Sequence, residues 1–287
     1  MFGFININKP SGMTSHSVIY FLRKITGIKQ IGHAGTLDPL ASGVLPVAVG
    51  KASKLIDYLD EDKEYVAGLK FGFVSDTYDT EGKVERFGLN TKLNICDIES
   101  VIPEFLGIIK QIPPAYSAVH YNGKRLYEMA RAGKIPDDIP VREVNIYKNE
   151  IVFFDEEKQE LKLQIACSKG TYIRTIVHDI GQRLGTGAVM CELTRVKSSG
   201  FRIENSLYLS DELTKEDIKA HLINPIDILN IANYELNDYE YEIIKNGNKF
   251  KNRLKTKGNV LLVKNGNAVA ISTANEEFIQ PKKLLFS

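Results

Sequence analysis

The stretch Gly32-His33-Ala34-Gly35-Thr36-Leu37-Asp38-Pro39-Leu40-Ala41-Ser42-Gly43 sets a carboxylate where it could do chemistry. Pro39 disfavours helical torsions at Asp38 and pushes that residue extended. The flanking glycines let backbone approach a bound molecule closely. A carboxylate displayed this way can serve as nucleophile, base or metal ligand, and the same residues equally fit an aspartate that only caps a turn. His33 is as readily a polar loop residue as a participant, so spacing leaves the choice open. No P-loop, G-x-G-x-x-G, HExxH or paired-histidine pattern occurs, and His16, His33, His120, His178 and His221 are scattered. A nucleotide or metal reading has no support from motifs. Cys96, Cys167 and Cys191 are odd in number and form no CxxC pair, which argues against a disulfide framework or a cysteine-built zinc site and for a reducing compartment.

These residues need a scaffold, and 287 residues with 43% hydrophobic and 25% charged content supply an ordinary globular one. That length suits one large domain with a small appendage. Phe2, Phe4, Ile5 and Ile7 predict a short strand stopped at Lys9-Pro10-Ser11-Gly12. Thr14 or Ser15 caps a helix with Val18, Ile19, Leu22 and Ile25 inward, closed by Gly27. A buried strand is expected around 44–49, another over 65–73, and an amphipathic helix over 94–106. Residues 150–154 and 161–167 alternate as a strand pair, a helix follows within 168–185, and a strand returns over 189–196. Irregular alternation with several hairpins predicts an α/β chain of α+β type with a mixed, largely antiparallel sheet. Composition shifts near 230–237, and the short runs 260–263, 268–271 and 284–286 predict a small β-rich C-terminal domain. The boundaries expected are 1–233 and 234–287. The N-terminus lacks the pattern of a secretory signal and no run of 18 apolar residues occurs, so the expectation is a soluble, cytoplasmic protein that does not engage membrane.

The net charge of +1 is unevenly spread. Residues 201–242 carry three basic and ten acidic side chains, and residues 243–287 carry nine and two. Such asymmetry points to a polyanionic partner, or to an intramolecular contact between the two segments.

Six motifs occur in order: NKPSGMTS (8–15), GHAGTLDPLASGVLPVAVGKASK (32–54), KEY (63–65), SDTYDTEG (75–82), QIPPAYSAVHYNGKRLYEMARAG (111–133) and SKGTYIRT (168–175). Together they resemble the bacterial tRNA pseudouridine synthase B (TruB) family from about residue 2 to 200. The resemblance implies the pseudouridine synthase fold and isomerisation of uridine 55 in the T loop of tRNA: the N1–C1′ bond breaks, the uracil turns, and C5 joins C1′. It assigns catalytic roles to Asp38, Tyr65 and Arg174, with Tyr65 packing against the base and Arg174 pairing with the aspartate, a match of guanidinium fork to carboxylate. It places His33 beside the flipped nucleotide, Leu193 in the uracil pocket and Tyr172 among the substrate-binding residues. Lys9 and Pro10 would support the catalytic loop, and Asp76 and Asp79 would make polar contacts or turns. Residues 111–140 match an RNA-gripping insertion offering Lys124, Arg125, Arg131 and Lys134 for phosphates and Tyr116, Tyr121 and Tyr127 for stacking. Residues 234–287 stand where the family carries a PUA RNA-binding domain, in shortened form.

No cofactor or metal is implied, because the base is retained and rejoined without external water or redox change. Reaching a stacked uridine requires extruding it. The partner expected is the T arm of tRNA, met by a monomer that needs no protein partner. Other readings are an enzyme dependent on a guide RNA, a non-catalytic RNA-binding or tRNA-folding protein on the same scaffold, and a carbohydrate hydrolase. The compact length and bacterial-type motifs disfavour the first, and joint retention of Asp38, Tyr65 and Arg174 disfavours the second.

Overall fold

The computed structural model of the chain describes residues 1–87, 92–136 and 138–286 and divides into two compact units, residues 1–60 with 198–287 and residues 61–197. In the first, β1 (Gly3–Lys9) is buried at every position. It leads into α1 (Ser15–Thr26), whose first turn is capped by the Thr14 side chain accepting from the Ser17 N–H and whose end is closed by Gly27 at φ +73°. Then come β2 (Ile31–His33) and β3 (Ser42–Val49). β3 runs antiparallel to both β1 and β2. The residues between β2 and β3 are the Asp38 segment, so two strands fix its ends.

The second unit contains β4 (Lys63–Phe71), the hairpin β5 (Phe73–Ser75) and β6 (Val84–Arg86), α2 (Ile95–Val101), β7 (Gly107–Gln111), the hairpin β8 (His120–Tyr121) and β9 (Lys124–Arg125), α3 (Leu126–Arg131), β10 (Arg142–Asp155), β11 (Glu160–Cys167), α4 (Ile173–Arg183) and β12 (Ala188–Ser198). Its sheet has the order β12–β4–β11–β10–β7, with β4, β7, β10 and β11 paired antiparallel. α2 is shorter than the helix expected over 94–106. Pro103 has no N–H to continue the helical ladder, and from Ile102 to Phe105 the chain tightens into a 3₁₀ turn. β10 is far longer than the run 150–154 suggests. Only Val144 and Ile146 are buried over its first half, which leaves little alternation to read.

The chain returns to the first unit with β13 (Phe201–Arg202), β14 (Leu207–Tyr208) parallel to β1, α5 (Lys215–Ala220) and α6 (Pro225–Ile228). A five-stranded sheet of order β15–β17–β18–β19–β16 follows, made by β15 (Ala232–Glu235), α7 (Asp238–Lys245), β16 (Phe250–Lys251), β17 (Gly258–Lys264), β18 (Asn267–Ala274) and β19 (Phe278–Leu284). The last strand was expected at 284–286. It runs from Phe278 to Leu284 and takes in Pro281, which a strand reading avoids and which is accommodated here beside a register shift, opposite Ser272.

The boundary expected at 233/234 falls inside β15. Val260 and Leu262 pack with Tyr234 and Ile244, whereas Leu261 joins Phe4, Val44 and Leu55. Successive residues of one strand thus serve two cores, and the C-terminal sheet shares one of them with residues 1–60. The charge segregation is also partly settled inside the unit. Lys245 pairs with Glu242, Arg253 with Glu240 and Lys264 with Asp238, so cations of the basic tail meet carboxylates of the preceding acidic segment. No helix among the described residues is long and apolar enough to cross a membrane.

Candidate functional site

Asp38 sits half-buried in a turn closed by the Ala41 N–H donating to its carbonyl at 3.1 Å. What shapes that turn lies at the end of β1. Lys9 is fully buried, and its Nζ donates to the carbonyls of Pro10 (2.9 Å), Met13 (2.5 Å) and Pro39 (3.3 Å). A buried ammonium is tolerated only when its donors are met; here carbonyls from both segments meet them, tying the NKPSGM turn to the residue after Asp38. The Gly12 N–H donates to the Pro39 carbonyl at 2.8 Å and the Ser11 hydroxyl to that of Leu40 at 2.7 Å. On the other side, Ser15 at the head of α1 receives the Leu37 N–H at 2.9 Å and donates to the Leu37 carbonyl at 3.1 Å. Leu37 itself is buried. Gly35 at φ +103° and Gly43 at φ +98° let the chain enter and leave by torsions that other residues adopt at a cost. The residues flanking Asp38 are pinned on both sides. His33 ends β2 opposite Val47, half-buried.

In the second unit Arg174 lies in the first turn of α4 and is 6% exposed. Its Nη1 stands 3.4 Å from Asp79 Oδ2 and donates to the Thr77 carbonyl at 3.1 Å; Nη2 donates to the Tyr116 carbonyl at 3.1 Å. Asp79 is 2% exposed and accepts from the Thr77 hydroxyl (2.5 Å) and the Glu81 N–H (3.0 Å). The turn residues of SDTYDTEG therefore build a carboxylate-and-carbonyl receptor for a guanidinium. Asp79, by sequence a turn or contact residue, is thus one partner of Arg174, and the doubled acidic spacing of Asp76 and Asp79 is the signal for it. Tyr172 precedes α4, and its backbone exchanges two hydrogen bonds with the buried Gln111 amide, at 3.0 and 3.2 Å, which fixes where the helix begins. Gln111 carried no signal.

Tyr65 on β4 and Leu193 on β12 are both buried, at 7% and 5% exposure, in adjacent strands of this unit's sheet. Lys124 and Arg125 are exposed on β9, at the end of a two-residue turn in which Asn122 and Gly123 have φ +47° and +80°, the torsions of a tight hairpin. Arg125 and Arg131 flank the Tyr127 ring at 5.9 and 5.5 Å, a stacking face edged by cations. Asp137, within this expected insertion, lies outside the described residues. Among the described residues no group of three or more His, Cys, Asp or Glu is disposed to hold a metal ion. Burial pushes the Cys167 thiol up to about 11, so at neutral pH it is protonated and a poor nucleophile.

The model of the TruB family pseudouridylate synthase N-terminal domain matches residues 23–173, and that of the tRNA pseudouridylate synthase B C-terminal domain matches residues 174–229. The chain belongs to the TruB family of pseudouridylate synthases. The first stretch holds His33, Asp38, Tyr65, Lys124, Arg125 and Tyr172; the second opens on Arg174 and holds Leu193. A tRNA pseudouridine synthase B of Acaryochloris marina is 44% identical over 79% of this chain and 78% of its own. Another from Pediococcus pentosaceus is 41% identical over 99% of both chains, which takes the likeness through the C-terminal sheet. Among solved structures, a crystal structure of a Cbf5–Nop10–Gar1 complex has a chain of TM-score 0.72 and 26% identity, matched over 99% of this chain and 85% of that one.

Proposed function

We propose that this chain converts uridine 55 in the T loop of tRNA to pseudouridine. The observation that carries the reading is the built turn around Asp38, in a chain of this family with relatives named for tRNA. A surface aspartate that merely capped a turn would not need a fully buried lysine spent on the backbone at its flank. Its carboxylate supplies the charge for breaking the N1–C1′ bond; the uracil stays bound, turns, and joins C1′ through C5, after which C5 gives up its proton and N1 carries one. No water is consumed. Tyr65 and Leu193 line the base, His33 and Tyr172 border the nucleotide, and Arg174 is the fixed cation of the reaction. The pairing of Arg174 with Asp38 that the family resemblance implies belongs to this proposal.

Extruding the base costs about a few kcal/mol, which contacts elsewhere on the RNA must offset. The exposed Lys124 and Arg125 and the cation-edged ring of Tyr127 suit phosphates and an unstacked base. Residues 234–287 act as a PUA-like grip in this reading, and the enzyme works as a cytoplasmic monomer without a protein partner. The test is to incubate the protein with an unmodified tRNA transcript and map pseudouridine at single-nucleotide resolution. One signal at the T-loop uridine is expected. Signal spread over other positions, or none, contradicts the assignment.

A further inference from the structure

Tyr78 stands between the two residues of its loop that receive Arg174, and it is the one residue of that loop whose backbone is unusual. Its φ is +65°, a left-handed torsion that a bulky aromatic side chain rarely adopts. Torsions of this kind persist where surrounding contacts over-determine them and are drawn to functional sites. Beyond its backbone bonds, this residue makes a ring stack: the Tyr78 and His178 rings lie 3.9 Å apart at 16°. His178 follows Arg174 by one turn of α4, so the two side chains leave the same helix face. Three consecutive loop residues therefore meet that face in alternation. Thr77 offers its carbonyl to Arg174, Tyr78 lays its ring on His178, and Asp79 offers its carboxylate to Arg174.

The backbone of the same loop is joined to β12 as well, where the Met190 N–H donates to the Tyr78 carbonyl at 3.0 Å and the Thr80 N–H to the Met190 carbonyl at 3.0 Å. These bonds set the height of the loop against the sheet. They leave its approach to α4 to the side chains. Burial lowers the His178 pKa, which favours the neutral ring.

We propose that His178 and Tyr78 are positioning residues for the reaction: their stack sets the distance and register of the 77–79 loop against α4, and through it the direction in which the Arg174 guanidinium points. The stack acts by shape and not by proton transfer, so an aromatic ring without nitrogen suffices at 178. This rests on Arg174 serving the pseudouridine reaction.

The test uses the full-length protein and an unmodified tRNA transcript under single turnover, reading the saturating rate and the dissociation constant separately. His178→Ala is expected to lower the rate by about 10- to 100-fold, the size of effect that a small misplacement of a reacting constellation produces, with tRNA affinity held within about twofold. His178→Phe recovers most of the rate. Tyr78→Asn, which tolerates the left-handed torsion but removes the ring, repeats the loss from the other side, and Tyr78→Phe does not. A wild-type rate in His178→Ala, or a loss that phenylalanine fails to restore, overturns the proposal. Should the wild-type protein leave tRNA unmodified, the substrate reading fails and the clamp is judged by denaturant unfolding of His178→Ala, Asp79→Asn and the double variant. Losses well short of additive support it and additive losses overturn it.

Discussion

Around Asp38 the buried charge is not the one proposed to do the chemistry. Lys9 is sealed off to organise backbone, and the carboxylate it serves stays half-buried in the turn beyond. Around Arg174 the side chain proposed to serve the reaction is itself sealed, 6% exposed against an aspartate at 2%, and its receptor is a loop. A group that must meet substrate is presented by pinning its neighbours. A group that must hold a direction is held by its own donors. The two regions should accordingly fail in different ways when cut.

The largest effect is expected at Arg174→Ala, which strands the buried Asp79 carboxylate and costs about 3–5 kcal/mol in denaturant unfolding, with turnover heavily reduced. Arg174→Lys sharpens the point. It keeps the charge but lacks the fork that reaches Thr77 and Tyr116 at once, so stability recovers in part while turnover stays low. An unchanged unfolding midpoint in Arg174→Ala would mean that the pair is not a structural unit.

Lys9→Met should invert that balance. The Pro10, Met13 and Pro39 carbonyls lose a donor, for about 1–3 kcal/mol, yet turnover falls further than stability because the Asp38 turn loosens. Equal turnover with reduced stability would place Lys9 outside the catalytic support. Lys124→Ala and Arg125→Ala test the exposed hairpin and should leave the unfolding midpoint alone. Each phosphate contact removed should reduce the slope of log affinity against log salt by about 0.7–0.9; an unchanged slope in both takes the hairpin off the RNA.

The smallest effect lies beside the clamp on α4. Burial pushes the Asp179 carboxyl up from 3.8 to about 6. Between those values the folded chain keeps a proton that the unfolded chain has released, so this group's contribution is full below pH 4 and is lost as pH rises through 6. Asp179→Asn should flatten that decline and melt higher than the parent above pH 6.5, with little difference at pH 4. A higher melting point at pH 4 only would contradict the sign.

Much of this was legible beforehand, and the reasons are local. Pro39 and its glycines announce a turn, Thr14 and Gly27 announce the ends of α1, and the motif order identifies the family. Long-range demands are what sequence conceals. A lysine beside a proline reads as surface, and only the fold shows Lys9 fully buried. β17 is buried on both faces because two cores meet it, so its apolar run does not show that the C-terminal sheet is joined to β1 and β3. For that reason removing residues 234–287, which as an RNA-binding module should weaken binding more than chemistry, would also uncover Phe4, Val44 and Leu55. The charge asymmetry misleads for a related reason, since several of the tail's cations are answered by their own neighbours.

The most direct test of the whole account is Asp38→Asn on an unmodified tRNA transcript, with product and binding measured in the same preparation. No pseudouridine is expected at the T-loop uridine, with tRNA affinity within about threefold of the parent, since the substitution removes a charge used only in the chemical step. Product at the parental rate would show that the carboxylate held in this turn is not the one that does the chemistry.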